Sequence, residues 1–360
     1  MTFTFRYEVR AEPGVSAEAA VVIESQSGQI LYEKNARKKM PMASTTKIMT
    51  ALCAIENLHP AHPVTIDNRS AGIEGSSIYL KEGETLTVLE LLYGMLLNSG
   101  NDAATALALA VSDSVEEFAV LMTETARKIG ASDTNFTNPS GLYEESHYTT
   151  AYDLALITSH ALSNRLFSQI VATKSAQISG SSDGQTRYLR NHNKLLGTYN
   201  GCNGVKTGYT KKCGRCLVSS AQRDSVSLIC VTLNAPDDWN DHRKLLDNAF
   251  SRTVSQEIAS QGDYAMQVNI GGAICRLSYE KSLRVTEIDG KTDNTKIVFS
   301  QKSDLSLPIN HGEQVGTAYA MCNGKVVSQC NLVSSEAVIH PTKRKKTLAD
   351  ILTENLQRFF

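Results

Sequence analysis

The chain has 360 residues, 41% hydrophobic and 20% charged, with a formal net charge of −1. That length exceeds one average domain and supports a large core plus a smaller module. The balanced charge gives no field toward nucleic acid, no basic patch with interleaved aromatics occurs in the part expected to fold, and no apolar run reaches the ~18 residues of a membrane-spanning helix.

Residues 1–18 read as an N-terminal extension; its opening, MTFTFRYEVRAEPG, lacks the apolar stretch of a secretory signal. Two β-rich runs within AAVVIESQSGQILYEKN (19–35), joined at Ser27-Gly28, predict a hairpin. After Pro41, STTKIMTALCAIENL is apolar on most faces, the pattern of a helix buried in a large core. From Thr87 to Gly130 the pattern is helical, interrupted at Asn98-Ser99-Gly100-Asn101. Asn138-Pro139-Ser140-Gly141 is a turn by composition, and Thr150-Ala151-Tyr152-Asp153 resembles a capping box opening another helix.

β-character returns at Gly204, where VKTGYT, CLVSSA and SVSLICVTL give three consecutive strand candidates, and LLDNAF (245–250) predicts a closing helix. A terminal hairpin and three late strands meeting in one antiparallel sheet, with helices on its faces, make an α+β domain over 19–258. A break is expected at Ser251 to Gly262. Short alternating strands with turns at Gly271-Gly272, Asp289-Gly290 and Asn323-Gly324 then predict a small all-β domain over 263–341. The tail, 342–360, joins the basic run Lys343-Arg344-Lys345-Lys346 to a segment with Leu348, Ile351, Leu352, Leu356 and Phe359 on one helical face.

The eight cysteines fall at 53, 202, 213, 216, 230, 275, 322 and 330. Cys213 and Cys216 have CxxC spacing, but no second pair or histidine cluster completes a zinc shell, and in a strand they would face opposite ways. Around the Asn323-Gly324 turn Cys322 should face Lys325, and Cys330 should face Thr317, too far apart to bridge. No disulfide framework, metal or organic cofactor is expected.

Three short motifs carry chemistry. Ser44 and Lys47, three apart at a helix start, let the amine reach the hydroxyl. Serine is a poor nucleophile until a base takes its proton, and lysine can be that base only if burial or another cation depresses its pKa. Ser44 near a helix N-terminus also sets a developing oxyanion beside free N–H groups. Ser99-Gly100-Asn101 lies in an interhelical loop that can point into a cleft. Lys206-Thr207-Gly208 opens a strand, where Lys206 supplies the depressing cation, Thr207 a hydroxyl for a carboxylate, and Gly208 room for a substrate backbone. Each motif alone is ordinary: a helix start, a turn, a charged edge residue. SxxK, SxN and KTG in that order form one signature set.

The chain resembles the low-molecular-mass penicillin-binding proteins, serine-type D-alanyl-D-alanine carboxypeptidases, through MASTTKIMTA, LLNSGNDAA, NPSGL with HYTTAYDLA, NHNKLL and GVKTGYTKKCGRCLVSSA. The likeness is dense from Ala19 to about Phe250 and looser beyond. It implies a penicillin-binding/β-lactamase-like domain, an antiparallel sheet flanked by helices plus a helical subdomain, followed by the all-β domain. It implies that Ser44 attacks the D-Ala-D-Ala carbonyl of peptidoglycan pentapeptides, Lys47 accepts the proton and Ser99 relays it to the leaving amine. Asn101 would hold the substrate amide, Lys206 and Thr207 the terminal carboxylate, and the N–H groups of Ser44 and Tyr209 the oxyanion, with Gly208 beside them. β-Lactams would acylate Ser44. No metal or cofactor is implied.

Some members carry an arginine shortly before the closing helix that binds the substrate carboxylate, and Arg243 in NAPDDWNDHRKLL does not align with it. A substrate outside the cytoplasmic membrane implies a secreted or peripheral extracytoplasmic protein whose N-terminus is processed or truncated. The tail resembles a membrane-surface anchor, against which stand a helix packed on its own domain or a solvated end. Two other functions stay open: a serine β-lactamase, for which Glu144 and Glu145 lack a matching motif, and a penicillin-binding sensor that does not turn over. Transpeptidase or endopeptidase activity would share the same acyl-enzyme.

Overall fold

The computed structural model describes residues 13–179, 186–291 and 295–339. Most of the N-terminal extension and the whole amphipathic tail lie outside the described residues. The chain divides into two compact units, one of residues 1–255 with 286–292 and the other of residues 256–285 with 293–360.

In the first unit the chain begins with β1 (Ala19–Glu24) and β2 (Ile30–Lys34), then a 3-10 turn (Ala43–Thr46) running into α1 (Lys47–Asn57). A short hairpin, β3 (Pro63–Thr65) and β4 (Thr85–Thr87), leads to α2 (Val88–Leu97), α3 (Asn101–Val111), α4 (Val115–Ile129), α5 (Ala151–Ser163) and α6 (Arg165–Ala172). A second hairpin, β5 (Ser175–Ile178) and β6 (Arg187–Arg190), precedes β7 (Cys202–Thr210), β8 (Gly214–Arg223), β9 (Val226–Leu233) and α7 (Asp238–Ser251). Last come β10 (Thr253–Ala259), β11 (Tyr264–Ile270), β12 (Ala273–Tyr279), β13 (Leu283–Ile288), β14 (Thr295–Gln301), β15 (Gln314–Cys322) and β16 (Lys325–Ser334).

The expected sheet forms: its order is β2-β1-β9-β8-β7, and every neighbouring pair is antiparallel. Both faces are covered, which the alternation of strand side chains makes explicit. Ala19, Val21 and Ile23 join the large core beneath the helical layer, with Ile229, Val231 and Leu233 of β9. Ala20 and Val22, with Leu228 and Cys230, face Leu245, Leu246 and Ala249 of α7. β1 and β9 therefore carry apolar residues on both faces, whereas β7 is left as an edge.

Local chemistry sets the helix ends. Thr87 and Glu90 close a full capping box on α2. The long helical stretch breaks a second time at Ser112–Ser114, where Ser114 caps α4. Glu116 and Glu117 then sit in the first turn of α4, Arg127 and Lys128 in its last, and Gly130 ends it at φ 94°. Thr150 caps α5 through Asp153 N, but the Asp153 carboxylate accepts from Asp133 N and Thr134 Oγ1 instead of closing the box. α7 is longer than the apolar run suggested, and the expected break at 251–262 contains β10, whose Thr253, Val254 and Ile258 favour a strand.

The second unit carries a five-stranded antiparallel sheet, β11-β12-β16-β15-β14, over its own core. Cys322 does pair with Lys325, but Cys330 faces Ala318 and not Thr317, because the register shifts between Ala320 and Met321. All eight cysteines are free. Cys213 lies in the β7–β8 turn, not in a strand.

Asp241, 2% exposed, ties the segment before β1 to α7 by accepting from Ser16 N, Ser16 Oγ and Ala17 N. Asp241→Ala strands the buried Ala17 N–H and frees Ser16, and is expected to cost about 1–3 kcal/mol. Denaturant unfolding monitored at Trp239 checks this; an unchanged midpoint would count against the tie.

Candidate active site

Ser44 lies in the 3-10 turn, three residues before Lys47, the first residue of α1. Ala43 has φ 47°, and this left-handed step turns the chain so that Ser44 faces the cleft. Hydroxyls hold the turn: Thr45 Oγ1 donates to Met42 O at 2.6 Å, and Thr46 Oγ1 to Ala43 O at 2.8 Å. His147 braces it from behind. Its Nδ1 accepts from Thr137 N at 3.1 Å, so Nε2 carries the hydrogen and donates to Thr46 Oγ1 at 2.8 Å. Burial pushes this imidazole down to about 4, which keeps it neutral. Gly141, at φ 84°, abuts the Ala43 carbonyl where any Cβ would collide.

Lys47 is wholly buried. Its Nζ meets Ser44 Oγ at 3.0 Å, Asn101 Oδ1 at 2.7 Å and Ser140 O at 2.6 Å. Burial, then the charge of Lys206, drives its pKa well below the usual lysine value, opposed by Asp102. A neutral amine has two N–H bonds and one lone pair. The two acceptors without a proton, Asn101 Oδ1 and Ser140 O, take the hydrogens, and the lone pair is left for the Ser44 hydroxyl. Three partners match three valences.

Ser99 and Asn101 stand where α2 hands over to α3, Ser99 at φ 62°. Asn101 is spoken for on both sides: beyond Lys47, its Nδ2 donates to Glu74 O at 2.6 Å, leaving one amide hydrogen. Asp102, fully buried, accepts from Ser77 Oγ, Ile78 N, Leu80 N and Ala103 N and so lashes the 74–80 loop to the same helix start. Arg187 completes the lashing, donating to Ile78 O, Tyr79 O and the buried carboxylate of Glu84.

Lys206 does not open its strand; it is the fifth residue of β7 and 1% exposed. Its Nζ donates to Ser99 Oγ at 3.1 Å and Thr207 O at 2.9 Å. Burial brings its pKa down to about 7. Because β7 is an edge and Thr207 O is turned away from β8, the period of two turns the Tyr209 N–H outward as well. A Cβ on Gly208 would lie 3.1 Å from both Met42 O and Ser44 N, so this strand passes directly against the nucleophile turn. The Ser44 N–H therefore lies beside the outer edge of this strand. Tyr209's own side chain is 66% exposed.

The structure therefore brings together Ser44, Lys47, Ser99, Asn101, Lys206, Thr207, Gly208 and Tyr209. Arg243 stays apart, donating to Thr198 O and Thr198 Oγ1. Glu144 accepts from Asn138 Nδ2 at 2.9 Å. Sequence reasoning missed three supports: the Ser140 carbonyl, Asp102 and His147. The NPSGL and HYTT segments were noted, but nothing local says which of their atoms turns inward. Among the described residues no group of three or more His, Cys, Asp or Glu is placed to hold a metal ion.

A serine hydroxyl in reach of a buried amine, with a second buried lysine on an edge strand that passes against the same turn, is the arrangement of a serine acyl-transfer enzyme. Residues 7–237 match the family described as D-alanyl-D-alanine carboxypeptidase, and residues 255–339 match the C-terminal domain of penicillin-binding protein 5. The chain is 32% identical over 332 residues to the D-alanyl-D-alanine carboxypeptidase DacF of Bacillus subtilis, covering 89% of this chain and 85% of that one. It is 31% identical over 354 residues to DacC of Escherichia coli, covering 91% and 85%. Penicillin-binding protein 5 of Haemophilus influenzae superposes with a TM-score of 0.66 at 26% identity, over 91% of this chain and 99% of that one. The chain belongs to the serine D-alanyl-D-alanine carboxypeptidase family of low-molecular-mass penicillin-binding proteins. Its α+β fold and its activity as a serine-type D-Ala-D-Ala carboxypeptidase, a hydrolase of cell-wall synthesis, follow.

Replacing Lys206 by glutamine removes the charge that helps keep Lys47 neutral. The Lys47 pKa is expected to rise, seen by NMR of labelled lysine, and the acid limb of penicillin labelling to move to higher pH. An unmoved Lys47 titration would mean that burial alone sets it.

Proposed function

We propose that this chain removes the terminal D-alanine of peptidoglycan pentapeptides through an acyl-enzyme on Ser44. Lys47 Nζ takes the Ser44 proton as Oγ attacks the carbonyl of the penultimate D-alanine. The Ser44 and Tyr209 N–H groups receive the oxyanion. Collapse breaks the amide C–N bond, and Ser99 passes the proton to the leaving amine. Asn101 offers its remaining amide hydrogen to the donor peptide, while Lys206 and Thr207 bind the terminal carboxylate beside Gly208. Water then attacks the ester, regenerating Ser44. A β-lactam enters by the same attack, its ring C–N bond being the one broken.

The observation that carries this reading is Lys47, buried and in reach of Ser44 Oγ, Asn101 Oδ1 and Ser140 O together. D-Alanine release from a peptide ending in D-Ala-D-Ala, wild type beside Ser44→Ala, tests it. Release should fall by at least about 10³-fold in the variant, as losing a nucleophile does elsewhere. Equal release by both would remove Ser44 from the mechanism.

Residues 19–258 are the proposed catalytic domain and 263–341 the accessory all-β domain. A peptidoglycan substrate supports an extracytoplasmic site of action, and the basic run followed by one apolar helical face supports attachment of 342–360 to an anionic membrane surface. A chain ending at Pro341 is expected to lose binding to anionic vesicles; retained binding would leave the tail without that role.

A further inference from the structure

The carboxylate end of the cleft is short of charge. Lys206 is the cation that the reading above gives to the substrate's C-terminus, and burial lowers its pKa to about 7. Arg243 is engaged at Thr198. The segment between β6 and β7 runs beside the chain on both sides of this end. Its backbone is fastened on both sides: Arg190 N donates to Asn98 Oδ1 at 2.9 Å, and His192 N to Leu97 O at 3.3 Å. Asn193 Nδ2 donates to Gly204 O at 2.8 Å. Leu97 and Asn98 directly precede Ser99, and Gly204 stands two residues before Lys206. His192 is therefore held where the Ser99 loop and the Lys206 strand converge, and it is exposed.

We propose that His192 is a second binding group for the substrate's terminal carboxylate, donating an imidazole N–H alongside Lys206 and Thr207, so that the enzyme selects acyl donors with a free C-terminus. The inference rests on the carboxypeptidase reading and adds a residue to its carboxylate shell. The charged groups on the neighbouring elements are Lys206 on β7, Arg190 and Lys194 on its own segment, and Lys174, whose carbonyl accepts Asn191 N. Partial desolvation of the ring, and then the charge of Lys206, hold His192 below the ordinary histidine value in the free enzyme. A bound carboxylate reverses the second effect, so binding takes up a proton. The contribution is then largest on the acid side and fades as pH rises through the pKa of the complex.

The test is D-alanine release by wild type, His192→Ala, His192→Arg and Arg190→Ala across a pH series. Alongside runs the second-order labelling of Ser44 by benzylpenicillin and by its methyl ester, which lacks the carboxylate. His192→Ala is expected to raise KM about 5- to 10-fold with kcat nearly unchanged, the pattern of a lost charge-assisted contact present equally in ground and transition states. Its KM ratio to wild type should fall toward one at alkaline pH. Penicillin labelling should slow in parallel while methyl-ester labelling does not, and His192→Arg should restore both. An unchanged KM, an equal loss with acid and ester, or a loss that follows Arg190 and not His192 would overturn the proposal. Absence of D-alanine release by wild type would instead sink the carboxypeptidase reading, and the acid–ester comparison would still decide for or against His192.

Discussion

Lys47 imposes the constraint around which the first unit is arranged. A wholly buried amine is tolerated only if it is neutral or fully hydrogen-bonded, and here its three partners come from three places: its own turn, the start of α3 and the 138–141 loop. Moving any one of them by an ångström would leave a buried donor or a misdirected lone pair. The secondary bracing is correspondingly dense. Asn138 Oδ1 accepts from Ser140 N and Gly141 N, and Thr50 Oγ1 donates to Pro139 O, so the loop that presents the Ser140 carbonyl is fixed to itself and to α1.

The sheet supplies rigidity on one side and an open edge on the other. β1 and β9 are apolar on both faces because helices cover both, and His242 shows how tightly the far layer is pinned. It lies fully buried between Ser219 Oγ and Thr232 Oγ1, pushed down to about 3 and so neutral. β7 keeps an unpaired edge. An edge strand is ordinarily a liability, but one with outward N–H and C=O groups beside a nucleophile is also a template for an extended peptide. The two buried lysines and Asp102 protect that edge by tying the 74–80 loop and the Ser99 turn close to it.

What stands out in the electrostatics is the economy of carboxylates near the reactive groups. Asp102, the one acid bearing on Lys47, accepts from three donors of the 74–80 loop and from Ala103 N of its own helix, and Glu84 is consumed by Arg187 and Lys81 N. Asp102 still opposes the fall of the Lys47 pKa, but it is the smallest of the three effects. Lys47 is accordingly driven down by burial and by Lys206, and the pair of lysines behaves as one coupled device.

The sequence alone determined the three motifs that the fold brings together, the hairpin, the late three-strand run and the split into an α+β part and an all-β part. Each of these is written in local pattern: SxxK at a helix start, SxN in a break, KTG in a β-rich run, turn dipeptides between alternating strands. The tertiary structure alone decided which atoms complete the site. Ser140 contributes a carbonyl, which every residue has, so no side-chain pattern marks it. His147 and Asp102 act through partners 101 and 24 positions away, at Thr46 and Ile78. The register slip that sets Cys330 opposite Ala318 depends on a bulge between Ala320 and Met321 that no turn rule specifies. Short-range chemistry is legible because neighbours along the chain must meet; these contacts are not, because only packing brings their residues together.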